Sequence, residues 1–192
     1  MKNVFGLSQK SAYVIELTRG WLSRQYFNRL YSSHVKIGKK FRRGRYCNMA
    51  LWGKCQFILG DGVYLRNFCR IQVEDGALKI GNNTFFNNFC TLNCLYKITI
   101  GDDCLFGENV KLYDHNHKYK DNRLIREQGY SLGEIYIGDN CWIGSNVVIL
   151  KDVRIGDNVV IGANCVIHKD IASNTLVKHS SDLLEDIYSD QK

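Results

Sequence analysis

The sequence predicts an all-β solenoid, a chain wound into stacked triangular coils behind an N-terminal helical segment. Three columns of residues predict it. Ile137, Ile143, Ile149, Ile155, Ile161 and Ile167 recur at a fixed interval of six. A helix repeats its face every 3.6 residues and a strand every two, so a constant six marks a repeat architecture. Four positions after each Ile stands a small or branched apolar residue: Cys141, Val147, Val153, Val159, Cys165 and Ile171. Three positions after each Ile stand Asn140, Asn146, Asp152, Asn158, Asn164 and Asp170. Asn and Asp best tolerate a left-handed backbone, so this column reads as a corner in every unit. Three strand-plus-corner units close a coil of about eighteen residues, with the Ile column pointing inward.

The register continues upstream. Ile100, Phe106 and Leu112 fall into it, with Asp103 and Asn109 at corners and Cys104 and Val110 in the small inward slot. Ile80, Phe86 and Leu92 form another set, with Asn83 at a corner and Thr84 and Cys90 inward. Leu59, Leu65 and Ile71 form a third, less regular one. Each buried Ile or Leu contributes roughly 1.5–3 kcal/mol, so stacked rungs can hold a solenoid together. The units "IGDNCW", "IGSNVV", "IGDNVV" and "IGANCV" follow one pattern: an aliphatic residue, Gly, two variable residues, then a small one. On these motifs residues 35–178 resemble the hexapeptide-repeat left-handed parallel β-helix family; the left hand is what the resemblance implies. Residues 1–34 are then an N-terminal helical segment, residues 113–134 an external loop and residues 179–192 a C-terminal tail.

A chain of 192 residues suits one domain with a substantial core. Of its eight cysteines, Cys69, Cys90, Cys104, Cys141 and Cys165 occupy the small inward slot. They are expected to be packed, reduced thiols acting as small hydrophobes. Cys47, Cys55 and Cys94 are not explained by the repeat, and no CxxC spacing suggests zinc. No signal peptide is visible, and a reducing, cytoplasmic setting is expected.

No apolar run approaches the ~20 residues that cross a bilayer. Residues 11–31 read as an amphipathic helix: Val14, Leu17 and Trp21 share a face, and Leu22, Tyr26 and Leu30 recur at a spacing of four. Arg19, Arg24 and Arg29 decorate it, and Lys36, Lys39, Lys40, Arg42, Arg43 and Arg45 follow, so much of the net charge of +7 sits here. The expected role is to cap the open end of the solenoid, since an uncapped one exposes its core. A basic amphipathic segment can also lie on an anionic membrane or approach a phosphate-linked substrate. No nucleic-acid-binding motif accompanies the charge.

The repeat breaks once. The step from Leu112 to Ile137 is not a multiple of six, and the intervening "YDHNHKYKDNRLIREQGYSLGE" is polar and aperiodic. It reads as a loop projecting from a rigid scaffold, where function concentrates. His115 and His117 open it. An imidazole near neutrality can take a proton from a hydroxyl, the task of a general base.

Coil, His-bearing loop, then "IGDNCWIGSNVVI" resembles the acyl-coenzyme A-dependent acetyltransferases of this fold, in particular the galactoside, maltose and bacterial surface-polysaccharide O-acetyltransferases. The resemblance implies an acetyl-CoA-dependent transfer to a sugar hydroxyl, with no metal and no covalent acyl-enzyme. Alignment from Val110-Lys111-Leu112 places His117 on the family's catalytic base, and alignment through Thr91-Leu92 places Asn87 on the residue that positions the acceptor hydroxyl. The loop is entered as "DHNH" rather than "TxHP", which leaves His115 as a rival base and steers the acceptor towards surface polysaccharides. Asp114 can orient either imidazole.

Trp142 and Ser145 match family positions beside the pantetheine arm and thioester, Ser145 as a donor to the developing oxyanion. Ala163 matches the small residue along the pantetheine path, and His168 and Lys169 match a Thr-Lys pair that meets coenzyme A phosphates. The family's Pro-rich end with its Gly-Asn-Pro-Ala segment is missing: the chain has no proline. Lys178 and His179 are the substitutes for its phosphate contacts. Relatives place the site between neighbouring prisms, so a homotrimer is implied. The acceptor is expected to be a sugar, lipid-linked in one version, with the enzyme at the inner face of the membrane. The alternatives are a non-catalytic scaffold, a transferase acting on serine or an antibiotic, and a zinc carbonic anhydrase, which lacks a third nearby His.

Overall fold

The computed structural model describes residues 2–31 and 33–178, with side chains described from residue 10 onward. His179 and the expected tail therefore lie outside the described residues. Helix α1 (Lys2–Leu30) precedes a left-handed parallel β-helix of about six turns. Each turn contributes one short strand to each of three parallel sheets. Face one runs from Val35–Ile37 through Gln56–Leu59, Ala77–Ile80, Lys97–Ile100 and Glu134–Ile137 to Val153–Ile155. Face two runs from Arg42–Arg43 to Leu176–Val177, and face three from Asn48–Trp52 to Val166–Ile167.

The inward columns form the core. All six Ile of the period are buried, as are Leu59, Leu65 and Ile71 of the less regular set. Phe86 and Phe106 stack in the axis, their ring centroids 4.4 Å apart. Cys55 and Cys94, which the repeat left unexplained, are buried as well, and Cys47 is half-buried. All eight cysteines are free thiols. Burial, and then the neighbouring Asp114 carboxylate, push the Cys94 thiol up, which disfavours the reactive thiolate.

The corners carry the predicted left-handed residues. Asn140, Asn146, Asp152, Asn158 and Asn164 have φ between 53° and 65°. Asp170 departs from its column and takes no left-handed φ. The reason is a shortened last coil: Ile155 bridges Ile171, a smaller step along the chain than the one from Ile137 to its partner Ile155. The N-terminal coils are longer instead. There Ile37 pairs with Leu59, and Leu59 with Ile80. The added length widens face three, where Asn48–Trp52 and Arg70–Glu74 have five residues against three in Val148–Leu150. In this wide end the second corner holds Tyr46, Phe68 and Phe89 at positive φ, which is costly for bulky residues. Their rings stack in a ladder at 5.1 and 5.0 Å.

Helix α1 caps the wide end, but not with the face the periodicity predicts. It packs through Gly20, Ser23 and Phe27, and Asn28 completes the first strand. The Asn28 amide accepts the Ile37 N–H at 2.7 Å and donates to the Ile37 carbonyl at 3.0 Å. Arg42 pairs with Glu16 at 3.0 Å and lies over the Tyr64 ring at 3.7 Å. Val14, Trp21, Leu22, Tyr26 and Leu30 are left exposed. The face is chosen by the closest approach: a Cβ on Gly20 would lie 1.8 Å from the Phe41 carbonyl oxygen, so only glycine fits.

Gly20→Ala should therefore lower the melting temperature, although alanine is favoured over glycine in a helix interior by about 1 kcal/mol. Hydrogen exchange across residues 10–31 should rise with it. A variant as stable as the parent, with α1 equally protected, would contradict this contact.

Candidate active site

The loop that interrupts the repeat is not structureless. His115–His117 pairs antiparallel with Tyr130–Leu132, and residues 125–127 form a single 3-10 turn. The polar sequence hid this hairpin because neither strand buries a face in the core. Side chains alternate along a strand, so His115 and His117 project from the same side. Both rings meet Tyr130, at 5.2 and 4.7 Å. Buried Gln128 holds the tip: its amide donates to the Asp121 and Arg123 carbonyls at 3.0 and 2.7 Å and accepts the Asp121 N–H.

Asp114 roots the hairpin. Its side chain is fully buried, and its carboxylate accepts the N–H groups of Leu95 and Tyr96 from the coil above, at 2.7–3.0 Å. Its carbonyl accepts the Gly133 N–H at 2.8 Å, closing the neck of the loop. A carboxylate buried this way needs those donors. Its remaining partner is His115 Nδ1 at 3.0 Å. A carboxylate that accepts from the imidazole puts the proton on Nδ1, and His115 Nε2 has no hydrogen-bond partner among the described residues. His117 has no hydrogen-bond partner among the described residues. It is exposed and lines a cleft of about 520 Å³ with Lys118, Tyr119, Arg123 and Lys151.

A second set of residues gathers at the corner between faces two and three. Arg66 donates to Asn87 Oδ1 at 3.0 Å, and the Asn87 amide donates to the Glu108 carboxylate. Glu108 Oε2 in turn accepts the Ser145 hydroxyl at 2.8 Å. Asn87 and Ser145, inferred separately from the sequence, are thus joined through Glu108, a residue the sequence analysis missed. Ser145 first, and then its own backbone N–H, hold the exposed Glu108 carboxyl below the usual range. The Ser145 proton is therefore committed to Glu108 and not to an outside oxyanion.

The backbone supplies the free donor instead. At this corner a side chain of one coil accepts the N–H of the coil above: Asn67 from Arg45 at 2.8 Å, Asn88 from Asn67 at 3.2 Å, Ser145 from Glu108 at 3.2 Å. The residue below Ser145 is Ala163, which has no such oxygen. The Ser145 N–H is left without an acceptor among the described residues and faces an exposed corner beside Trp142, itself 57 % exposed. Lys178 follows Leu176–Val177 on the same corner, one coil further down. His168 and Lys169 are exposed but lie at the other end of face three, after Val166–Ile167. Of the four catalytic candidates, Asn87 stands apart from His117. Asn87 precedes face three and His117 follows it, and no hydrogen bond or ring contact joins them within the chain.

Two family descriptions match this chain: "Bacterial transferase hexapeptide (six repeats)" over residues 134–169 and "Hexapeptide repeat of succinyl-transferase" over residues 97–111. Over these segments the chain is similar to hexapeptide-repeat transferases. The chain is 41% identical over 72 residues to galactoside O-acetyltransferase of Escherichia coli K12, covering 38% of this chain and 35% of that protein. It is 35% identical over 77 residues to nodulation protein L of Rhizobium meliloti, covering 40% and 41%. The matches span about a third to a half of the length of such relatives. A hexapeptide-repeat acetyltransferase of Vibrio cholerae, crystallised with acetyl coenzyme A, superposes with a TM-score of 0.52 at 26% identity, covering 80% and 71% of the two chains. AntD, an N-acyltransferase of Bacillus cereus, superposes with a TM-score of 0.68 at 14% identity over 86% and 89%, a likeness of fold.

Glu108 should titrate below the ordinary carboxylate midpoint of about 4.3, read by carbon NMR of its carboxyl. Its folded pKa is depressed, so its contacts support the fold above that range and are lost as pH falls through the folded value. Ser145→Ala removes the largest cause and should move the midpoint back up; an unmoved midpoint would refute the Ser145–Glu108 link. Asp114→Ala should cost roughly 1–3 kcal/mol for the N–H groups it orphans and speed tryptic cleavage at Lys118 and Lys120.

Proposed function

We propose that this chain is an acetyl-coenzyme A-dependent O-acetyltransferase whose acceptor is a sugar hydroxyl of a bacterial surface polysaccharide or its precursor. The observation that carries the reading is the free Ser145 N–H beside exposed Trp142 at a corner stripped of side chain by Ala163. Those features fit the acyl end of coenzyme A: a flat apolar wall, room for a thin chain and an unspent donor. Lys178 adds a cation further along the same corner for phosphate, with His168 and Lys169 as the second cationic point. When bound, the cofactor supplies an acetyl group activated as a thioester.

The chain's own residues do the rest. His117, exposed in the hairpin cleft, takes the acceptor proton, and the second N–H of the Asn87 amide, the one not given to Glu108, holds the acceptor hydroxyl. The Ser145 N–H meets the negative charge developing on a carbonyl oxygen, which such a preorganised donor stabilises. Asn87 and His117 sit at opposite ends of face three, which fits a site shared between neighbouring chains. A homotrimer that sets the hairpin of one prism against the Asn87 corner of the next completes the site. The free thiols agree with a reducing, cytoplasmic setting. Galactoside O-acetyltransferase, by its name, acts on a sugar, and NeuO is described as a polysialic-acid-specific acetyltransferase; both support a sugar acceptor.

A second reading assigns the base to His115, because Asp114 orients that ring and leaves its Nε2 free. Single variants separate the two. His117→Ala should lower kcat by about 10²–10⁴ with coenzyme A binding by calorimetry and melting temperature unchanged. If His115→Ala shows that loss and His117→Ala does not, the base is His115. If the parent binds no coenzyme A, the chain is a scaffold and the enzyme reading fails.

A further inference from the structure

The outward side of α1 is an apolar stripe with nothing packed on it among the described residues. Val14, Trp21, Leu22, Tyr26 and Leu30 are each between 55 and 60 % exposed. On a helix these positions share one broad arc, interrupted by Thr18, Gln25 and Arg29 rather than by acids. The one carboxylate of residues 10–31, Glu16, lies on the packed side and is spent on Arg42. Cations border the stripe on both flanks, Lys10 and Arg24 on one and Arg19 on the other.

On the Arg24 flank the stripe opens into a cleft of about 330 Å³ between helix and first coil. Leu17, Trp21 and Phe41 give it an apolar wall, while Arg24, Lys39 and Lys40 give it three cations. Arg24 is fixed there by donating Nε to the Ile37 carbonyl at 3.1 Å. Lys40 turns this corner with a left-handed φ of 54°. No helix is apolar enough to cross a bilayer among the described residues.

We propose that this end of the solenoid docks on an anionic phospholipid surface, with α1 lying in the interface. Trp21 and Tyr26 would sit at headgroup depth, where amphipathic rings are favoured. The Arg24–Lys39–Lys40 cleft takes a headgroup phosphate. The unbroken basic frame selects this occupant: a second copy of the chain would bring the same cations face to face, and like charges across an interface repel. Each Lys or Arg near an anionic surface adds to the attraction. The inference stands apart from the acetyl-transfer reading, since nothing in it involves coenzyme A or the hairpin.

The test is co-sedimentation of the full chain with phosphatidylcholine vesicles, with and without phosphatidylglycerol. The chain should partition onto the anionic vesicles at least tenfold better, and high salt should reduce the difference. Trp21→Ser, and separately the pair Lys39→Glu and Lys40→Glu, should each lower that partition about tenfold or more, with circular dichroism and melting temperature kept. Equal partition onto both vesicles, no partition onto either, or variants that bind like the parent would each overturn the proposal. So would a Trp21→Ser variant that loses oligomeric mass while the parent ignores vesicles, which would assign the stripe to a second copy.

Discussion

The fold depends on one repeated hydrogen bond: an oxygen-bearing side chain at a corner accepts the backbone N–H of the equivalent residue one coil up. At the first corner the ladder is unbroken from Lys39 through Asp61, Asn82, Asp102, Asp139 and Asp157 to Ser173, at 2.6–3.0 Å. A corner points its amides away from the sheets, and an unpaired backbone donor is costly where water is thin. Short oxygen-bearing side chains solve this without widening the turn. The backbone N–H of Asn82, and then its side chain, hold the Asp102 carboxyl below the ordinary range, so this acceptor stays charged. At the second corner the ladder skips Asn88, whose N–H goes to Asn87 Oδ1 instead, and stops at Ala163, where the resulting free donor is the start of the proposed chemistry. A structural rule and its local omission thus define the site together.

What could be read from the sequence was what repeats locally. The inward Ile column and the Asn and Asp corners are set by residues a few positions from one another, so periodicity exposed them. The missed features depend on distant partners. Glu108 is an ordinary corner residue until Asn87 and Ser145, far from it along the chain, meet its carboxylate. The orientation of α1 follows from Gly20 against the Phe41 carbonyl, a contact that a helical wheel cannot contain. Asp170 fits its column by spacing and fails it by geometry, because the last coil is shorter than the one before. The hairpin was hidden because His115–His117 and Tyr130–Leu132 pair with each other rather than with the core.

The candidate site is divided by the shape of the prism. Face three separates the Asn87–Glu108–Ser145 corner from the Asp114–His115 root, and each half is rigid for its own reason. The corner half is held by bonds from coil to coil, and the hairpin half by a buried carboxylate and by Gln128 at the tip. Neither half needs the other to fold. That independence suits a site assembled between chains, where preformed parts lose little conformational freedom on meeting.

The interruption between Leu112 and Ile137 also bears on chain entropy. Ile135 pairs with Val153 on the next coil, but Ile98 reaches Ile135 only across the hairpin, a ring about twice as long. Ring closure grows only with the logarithm of length, so doubling the ring costs about 0.6 kcal/mol. Asp114 and Gly133 pinch the neck shut, so the solenoid below and above closes as though the insert were short. The winding tolerates a change in the length and contents of this hairpin with almost no change in stability, and the hairpin is therefore the part of the chain most open to a new acceptor.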